Sequence, residues 1–163
     1  DKDTAHELGN YKGFGLLLNN LITVDKDTVK ELSKVKGSIH LGLNSIDKYT
    51  AKEFANFKGD SLGFASVTSI DKEVVRELVK FDGERLLLNG LSSIDKEVAR
   101  ELVKFDGEDL YLGGLTSIST EVALELINKK DNLYLKGLTS IDDETLKILK
   151  SHPSITLPEK YQN

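Results

Sequence analysis

Three histidines are the first residues that could perform chemistry, because an imidazole can act as a general base or bind a metal ion. They are His6, His40 and His152, and no two of them have the spacing of a metal-ligand or catalytic pair. We interpret all three as surface side chains. The chain has no cysteine, which excludes thiolate metal sites and cysteine nucleophiles. It also lacks a phosphate-binding loop and a nucleophile motif, so the sequence predicts a protein that is not an enzyme and uses no cofactor or metal.

Two acidic turns, Asp82-Gly83-Glu84 and Asp106-Gly107-Glu108, offer a second kind of chemistry. Carboxylates stacked in this way could supply the oxygen ligands that Ca²⁺ prefers. The same place in earlier turns reads Lys36-Gly37-Ser38 and Lys58-Gly59, which interrupts the acidic row. We therefore interpret these residues as ordinary turn chemistry at the surface.

The strongest candidates for function are residues predicted to point outward from short strands. Exposed tyrosine with arginine beside it is a composition enriched in the energetic centres of protein interfaces. Tyrosine is also favoured in strands for its own sake, so this alternative stays open. The predicted binding residues are Arg85, Leu87, Asn89, Asp109, Tyr111, Asn132, Tyr134 and Lys136.

A sequence repeat predicts the elements that position these residues. An Ile or Val followed by Asp or Ser recurs at intervals of 22, 24, 24, 24 and 23 residues. The six instances are Val24-Asp25, Ile46-Asp47, Ile70-Asp71, Ile94-Asp95, Ile118-Ser119 and Ile141-Asp142. Residues 71–84 and 95–108 differ only at Val75 against Ala99. Asp1 fits the same marker one unit earlier, so we expect the chain to open in the middle of a repeat.

Each marker is followed by a helix pattern. Apolar residues such as Val98 and Leu102 lie on one side and charged residues on the other. The marker Asp or Ser, Asp1 included, is the predicted N-cap, because its side-chain oxygen can accept from the first-turn N–H groups. The predicted helix-ending residues, expected to adopt positive φ, are Gly13, Gly37, Gly59, Gly83 and Gly107.

A short strand pattern follows each helix, with two inward apolar residues around one outward residue. The inward pairs are Leu16/Leu18, Ile39/Leu41, Leu62/Phe64, Leu86/Leu88, Leu110/Leu112, Leu133/Leu135 and Ile155/Leu157. Because each strand is joined to the next through a helix, the seven strands must be parallel. A unit this short buries its apolar faces only by stacking on copies of itself, which predicts an α/β solenoid. Pro153 and Pro158 are predicted to end the last helix and the sheet, and residues 159–163 to form a polar tail.

The unit resembles a leucine-rich repeat of the helix-backed type, as in Leu110-Tyr111-Leu112-Gly-Gly-Leu115-Thr-Ser-Ile118. The sequence GLTSI, which occurs at residues 114–118 and 137–141, is similar to repeats in large predicted bacterial proteins. One departure is that Leu or Val stands where the family usually has Asn or Cys. The resemblance implies a right-handed curved solenoid with a concave parallel sheet, convex helices, and macromolecular binding by the concave face.

Composition limits the partners. The formal net charge is −5, and no Lys/Arg cluster stands apart from acids, which argues against nucleic-acid binding. No apolar run approaches the roughly 18 residues of a membrane span. We predict a monomer with one domain over residues 1–163, the C-terminal part of a longer protein. We expect it to bind another protein through the concave face. The alternative is a structural spacer or stalk of a larger bacterial surface protein, which favours a secreted or cell-surface location.

Overall fold

The structure, a computed structural model, describes residues 2–162 and alternates helices with strands throughout. The helices are α1 Lys2–Gly9, α2 Lys26–Leu32, α3 Lys48–Phe54, α4 Lys72–Leu78, α5 Lys96–Leu102, α6 Thr120–Leu126 and α7 Asp143–Lys150. The strands are β1 Gly15–Leu18, β2 Ser38–Leu41, β3 Ser61–Phe64, β4 Arg85–Leu87, β5 Asp109–Tyr111, β6 Asn132–Tyr134 and β7 Ile155–Thr156. A short 3₁₀ helix over Glu159–Tyr161 follows β7 within the segment predicted to be a polar tail.

The strands form one parallel sheet in the order in which they occur in the chain, β1 to β7. The pairing keeps equivalent repeat positions in register, so that Leu62 lies beside Leu86 and Leu110 beside Leu133. The predicted α/β architecture with a single seven-stranded parallel sheet is confirmed. It is consistent with a repeat solenoid.

The core lies between the helices and one face of the sheet. The inward strand residues from β2 to β6 are fully buried, as the Leu-x-Leu pattern predicts. The apolar residue of the following turn is also buried in these repeats, for example Leu43, Val67 and Leu91. Apolar residues of the helices, such as Leu78 and Leu102, complete the same cluster. Parallel pairing and this shared core together place the outward strand residues on the opposite face.

The helix N-caps are confirmed wherever the structure describes them. The marker side chain accepts from the backbone N–H three residues later in all six cases, from Asp25 at 2.7 Å to Ser119 at 3.3 Å. This N–H bond is the main cause that lowers the pKa of the Asp25, Asp47 and Asp142 carboxyls. Asp1, the predicted cap of α1, lies outside the described residues.

The prediction of positive φ at five helix-ending glycines is wrong for four of them. Helices α2 to α6 are followed by right-handed cap residues, such as Val79 and Val103, several positions before the glycine. Among the described residues only Gly37 has positive φ, at 96°. Gly13, Gly59, Gly83 and Gly107 therefore do not supply a left-handed helix end.

Close packing explains the other glycines. A Cβ on Gly59, Gly83 or Gly107 would collide with the phenylalanine ring two residues earlier and with the carbonyl oxygen of the preceding glycine turn. The rings of Phe57, Phe81 and Phe105 stack on one another, with centroids 5.7 and 6.1 Å apart. Glycine is needed here because each ring occupies the space beside its own turn. We call these three rings the phenylalanine column.

Lys129 takes the next position in the phenylalanine column, and Asp131 stands near where the glycine would be. Lys129 is 1% exposed. Its Nζ donates to the Gly107 carbonyl at 2.9 Å, lies 3.6 Å from an Asp131 carboxylate oxygen, and is 5.8 Å from the centroid of the Phe105 ring. Burial lowers the pKa of the Lys129 ammonium. This repeat therefore lacks both the ring and the glycine two positions after it.

The charged helix faces, interpreted from the sequence as solvated surface, also carry contacts between repeats. Arg76 of α4 donates to Glu101 of α5 at 3.2 Å, and Arg100 of α5 pairs with Glu125 of α6 at 2.7 Å. Each arginine also pairs with a glutamate of its own helix. The side chains of Glu101 and Glu125, which accept the bonds between helices, are only 9% and 17% exposed, so these two pairs join consecutive helices at a largely buried site.

Candidate binding surface

The outer sheet face is the face of the sheet opposite the helices. Its central row contains one residue from each strand: Leu17, His40, Gly63, Leu87, Tyr111, Tyr134 and Thr156. Neighbours in this row are register partners on adjacent parallel strands. Strand spacing in a sheet is about 4.8 Å, so large side chains in the row must lie directly against each other.

Tyr111 and Tyr134 form the centre of this face. Their rings are stacked in parallel, with centroids 4.3 Å apart and an interplanar angle of 4°. Both side chains are half-buried. The stack follows from the register of β5 and β6, which pairs the two residues. Each ring restricts the rotation of the other, so the pair presents a rigid aromatic surface.

Asp109 organises the polar groups around the two rings. Its carboxylate accepts from Asn132 Nδ2 at 2.9 Å, and from the hydroxyls of Tyr134 and Tyr111 at longer distances of 3.3 and 3.4 Å. Burial, assisted by the Asp109 charge, raises the pKa of Tyr111 to about 12. The Tyr111 hydroxyl therefore stays protonated, and able to donate, to a higher pH than an ordinary tyrosine.

Two basic side chains flank the tyrosine pair. Lys136 Nζ lies 5.8 Å from the centroid of the Tyr134 ring, within cation–π range. Arg85 is exposed on β4 and donates to Glu84 at 3.0 Å, which raises the pKa of its guanidinium. The tyrosine pair is thus bordered by cations that a partner can reach.

Leu87 and Asn89 complete the predicted set and have different surroundings. Leu87 is half-buried beside Tyr111 in the central row. The Oδ1 of Asn89 accepts from the Gly113 backbone N–H at 2.8 Å. Asn89 therefore connects two successive turns through its side-chain oxygen. The residue is nevertheless exposed and borders the outer sheet face.

A notch on the same face was not predicted from the sequence. Gly63 contributes no side chain to the central row, and a cavity of about 110 Å³ opens there. Its lining residues are Asn19, His40, Gly63, Phe64, Ala65, Leu87 and Asn89. The sequence could have predicted this cavity, because Gly63 stands between His40 and Leu87 in the central row and leaves one side-chain position empty.

His40 approaches a serine hydroxyl, which raises the question of a catalytic pair. His40 Nε2 lies 3.2 Å from Ser61 Oγ, and burial lowers the pKa of the imidazole. Ser61 is 3% exposed and does not line the notch. Because the serine is almost completely buried, we interpret the contact as structural.

The other two histidines lie outside the central row of the outer sheet face. His6 Nδ1 is 3.0 Å from a Glu31 carboxylate oxygen, and His152 Nδ1 accepts from the Ser154 N–H at 3.3 Å. The acidic turns do meet in space and border an open cleft of about 460 Å³. Across residues 2–162, no group of three or more His, Asp or Glu side chains is arranged to hold a metal ion.

Comparisons with protein-family models, with curated proteins and with solved structures gave no match. No helix in the described part of the chain is long and apolar enough to cross a bilayer.

Proposed function

We propose that this chain is a leucine-rich repeat protein that binds another protein through the outer sheet face and catalyses no reaction. The observation that carries the proposal is the stacked pair of Tyr111 and Tyr134 held by Asp109. The repeat sequence supports the family, since apolar residues occupy the two inward strand positions, the turn position, and the position (Ile or Val) that precedes each marker residue.

The tyrosine pair is suited to binding because its conformation is already restricted before a partner arrives. Ordering a flexible side chain at an interface costs roughly 0.5–1.5 kcal/mol. Stacking and the contacts to Asp109 already order the two tyrosines in the free protein, so binding a partner requires little further ordering of them. A partner that covers the rings gains apolar contact area and can accept hydrogen bonds from the tyrosine hydroxyls.

The cations beside the rings define the chemistry of the partner. A segment that places an apolar or aromatic group over Tyr111 and Tyr134 can reach Arg85 on one side and Lys136 on the other. Both can donate to acceptors of the partner, and Arg85 can form two parallel bonds to a carboxylate. The expected partner therefore presents an apolar group flanked by carbonyl or carboxylate oxygens.

Photo-cross-linking tests this function. A photoreactive amino acid replaces Leu87 in one protein and the exposed Lys72 of α4 in a control, and both are mixed with extract of the source organism. We expect a partner that cross-links from position 87 and not from position 72. The purified partner is then titrated against Tyr111→Ala/Tyr134→Ala. Interface tyrosines of this kind contribute about 2 kcal/mol or more, so Kd should rise at least about 30-fold.

A matched control uses Lys30→Ala/Lys72→Ala, which alters two exposed lysines on α2 and α4. This variant should bind as the unaltered protein does. Circular dichroism checks that both double variants are folded. Equal affinity of the tyrosine variant and the unaltered protein would refute binding through the outer sheet face.

A second candidate is a structural spacer, favoured by contacts that run continuously from repeat to repeat. The phenylalanine column and the Arg76–Glu101 and Arg100–Glu125 pairs join successive units without involving the outer sheet face. The same cross-linking separates the two functions. A spacer should cross-link from neither position 87 nor position 72.

A further inference from the structure

The notch at Gly63 is an interior feature of the outer sheet face. Gly63 lies on β3 and pairs with His40 of β2 and with Leu87 of β4. Two strands of the sheet lie on one side of β3 and four on the other. The cavity of about 110 Å³ at this position is therefore formed within the face and does not depend on how either end of the sheet is covered.

The walls of the notch are held in place in the free protein. The His40 ring leans over the glycine, since a Cβ on Gly63 would lie 2.9 Å from His40 Cδ2. The ring is positioned by the contact of 3.2 Å between its Nε2 and Ser61 Oγ. The half-buried Leu87 stands on the other side of Gly63. The notch is thus a preformed pocket between two side chains.

The notch has an uncharged lining in a chain in which 30% of residues are charged. Burial lowers the pKa of the His40 imidazole below its ordinary value, so the ring is mostly neutral at neutral pH. A charged group that entered the notch would lose hydration without gaining an ion pair. The chemistry of the lining therefore favours a neutral side chain.

The size of the notch limits this side chain further. Apolar cavities of about 150 Å³ accommodate a benzene ring, and the notch, at about 110 Å³, is smaller. Leu87 and the exposed methyl group of Ala65 supply apolar contacts at its border. A valine, leucine or isoleucine side chain fits these limits, and an aromatic ring exceeds them.

Two asparagines at the border of the notch indicate the conformation of the segment that carries this side chain. Asn19 and Asn89 are exposed and occupy equivalent repeat positions, with the small residues Gly42 and Ala65 at the positions between them. Asn89 Oδ1 is engaged by the Gly113 N–H, which leaves Nδ2 to donate, and the Asn19 amide can both donate and accept. A helix uses its backbone groups internally, whereas an extended segment offers them to such amides.

The distance from the notch to the tyrosine pair matches one extended segment. Strands lie about 4.8 Å apart, so β3 is about 12 Å from the midpoint between β5 and β6. In an extended chain, residues four positions apart point to the same side and lie about 13 Å apart. A segment with one residue in the notch therefore places the fourth residue along over Tyr111 and Tyr134, and the residue between them over Leu87.

We propose that the notch is a specificity pocket for a valine, leucine or isoleucine side chain of an extended partner segment. The residue four positions away in this segment covers the tyrosine pair with an apolar or aromatic group. Asn19 and Asn89 bond to the backbone of the segment. This inference rests on the proposed function, because it specifies which protein segment the outer sheet face accepts.

Peptide selection provides the probe for this pocket. A library of random peptides of about 12 residues, displayed on phage, is selected on the full chain. We expect the retained peptides to share a valine, leucine or isoleucine four positions from an apolar or aromatic residue. In a synthetic peptide of this kind, exchange of the aliphatic residue for alanine should raise Kd about tenfold or more. Exchange for phenylalanine should raise Kd as strongly, because the ring exceeds the notch.

Two variants change the size of the notch in opposite directions. Ala65→Leu fills it and should raise Kd for the aliphatic peptide about tenfold, whereas Ala55→Leu, which adds the same side chain after α3, should leave Kd unchanged. Leu87→Ala enlarges the notch and should bring the aliphatic and phenylalanine peptides to within about threefold of each other. This comparison is made within one protein, so a general loss of affinity does not affect it. Circular dichroism on heating checks that each variant is folded.

The outcomes separate the notch from the proposed function. Peptides that need Tyr111 and Tyr134 but bind Ala65→Leu with unchanged Kd would overturn the pocket and leave the proposed function standing. Selection of no peptide would overturn the extended segment, and the cross-linking test of the function would be unaffected. Peptides that bind Tyr111→Ala/Tyr134→Ala unchanged and lose affinity for Ala65→Leu would instead contradict the proposed function.

Discussion

The pairing of an aromatic residue with a glycine two positions later is a physical rule of this chain. Phe57, Phe81 and Phe105 each precede a glycine whose missing side chain makes room for the ring. Lys129 has no ring, and Asp131 follows it in place of glycine. The two positions are thus coupled through the volume that they share.

This coupling can be measured with Phe105 and Gly107. Gly107→Ala alone should destabilise the protein by about 1–3 kcal/mol, because its Cβ overlaps the Phe105 ring. The same change in a Phe105→Leu background should cost less, since the shorter side chain frees the space. The measurement is urea unfolding of all four proteins in a double-mutant cycle. Additive free energies would show that the ring and the glycine do not share this space.

The residue types of the candidate binding surface could be predicted from the sequence, but their mutual contacts could not. The alternation of inward and outward residues along each strand predicted that Tyr111 and Tyr134 lie on the same face of the sheet. The stacking of the two rings and the position of Asp109 between their hydroxyls depend on the exact register of β5 and β6. The bond from Gly113 to Asn89 likewise depends on how two turns approach each other, which no spacing along the chain reveals.

At the scale of the elements, short helices are started by side chains and completed by packing. Helices α2 to α6 have seven residues each, which is too short to be stable alone in water. Their N-caps and their burial against the sheet supply the stabilisation that such short helices lack on their own. This is why the marker residue recurs in every repeat.

Removing one N-cap should have a measurable effect. Asp95 accepts from the Val98 N–H at 2.8 Å, so Asp95→Ala should lower the free energy of unfolding by about 1 kcal/mol. Asp95→Ser should retain most of it, because Ser119 serves as the natural cap of α6. Chemical denaturation of the three proteins measures this. Equal losses in the alanine and serine variants would contradict a capping role.

Element boundaries illustrate what sequence patterns can predict here. The helix starts were correct because the cap acts on residues that are adjacent in the chain. The glycine positions were found, but their conformation was misassigned. The reason for these glycines lies in the carbonyl of another repeat and in a ring packed beside the turn. That information is not local, so a helix-end signal was the wrong explanation for Gly59, Gly83 and Gly107.

At the scale of the molecule, stability is distributed along the stack of repeats. Each strand pairs only with its neighbours in the chain order, and the phenylalanine column and the ion pairs also join neighbours. The free energy of unfolding should therefore be close to a sum over repeats and their interfaces. A repeat can then be removed without loss of the fold.

Deletion of residues 71–94 tests this. The deletion joins Ile70 to Asp95, which recreates the natural Ile–Asp marker, and brings Phe57 beside Phe105. We expect a folded protein with a lower Tm, measured by circular dichroism on heating. A matched deletion of residues 83–106 removes the same number of residues and also joins equivalent repeat positions, so it should behave in the same way. An unfolded product from either deletion would show that the repeats are not interchangeable.

The buried Lys129 limits how this array can lengthen over evolutionary time. Tandem duplication of a phenylalanine-containing unit extends the column with another ring, and the near identity of residues 71–84 and 95–108 is the trace expected of such an event. Duplication of the unit that contains Lys129 would instead place a second ammonium beside the first in a buried site, where like charges repel strongly. Genetic recombination should therefore expand the repeats that precede Lys129, and sequences descended from a common ancestor should vary in length on that side.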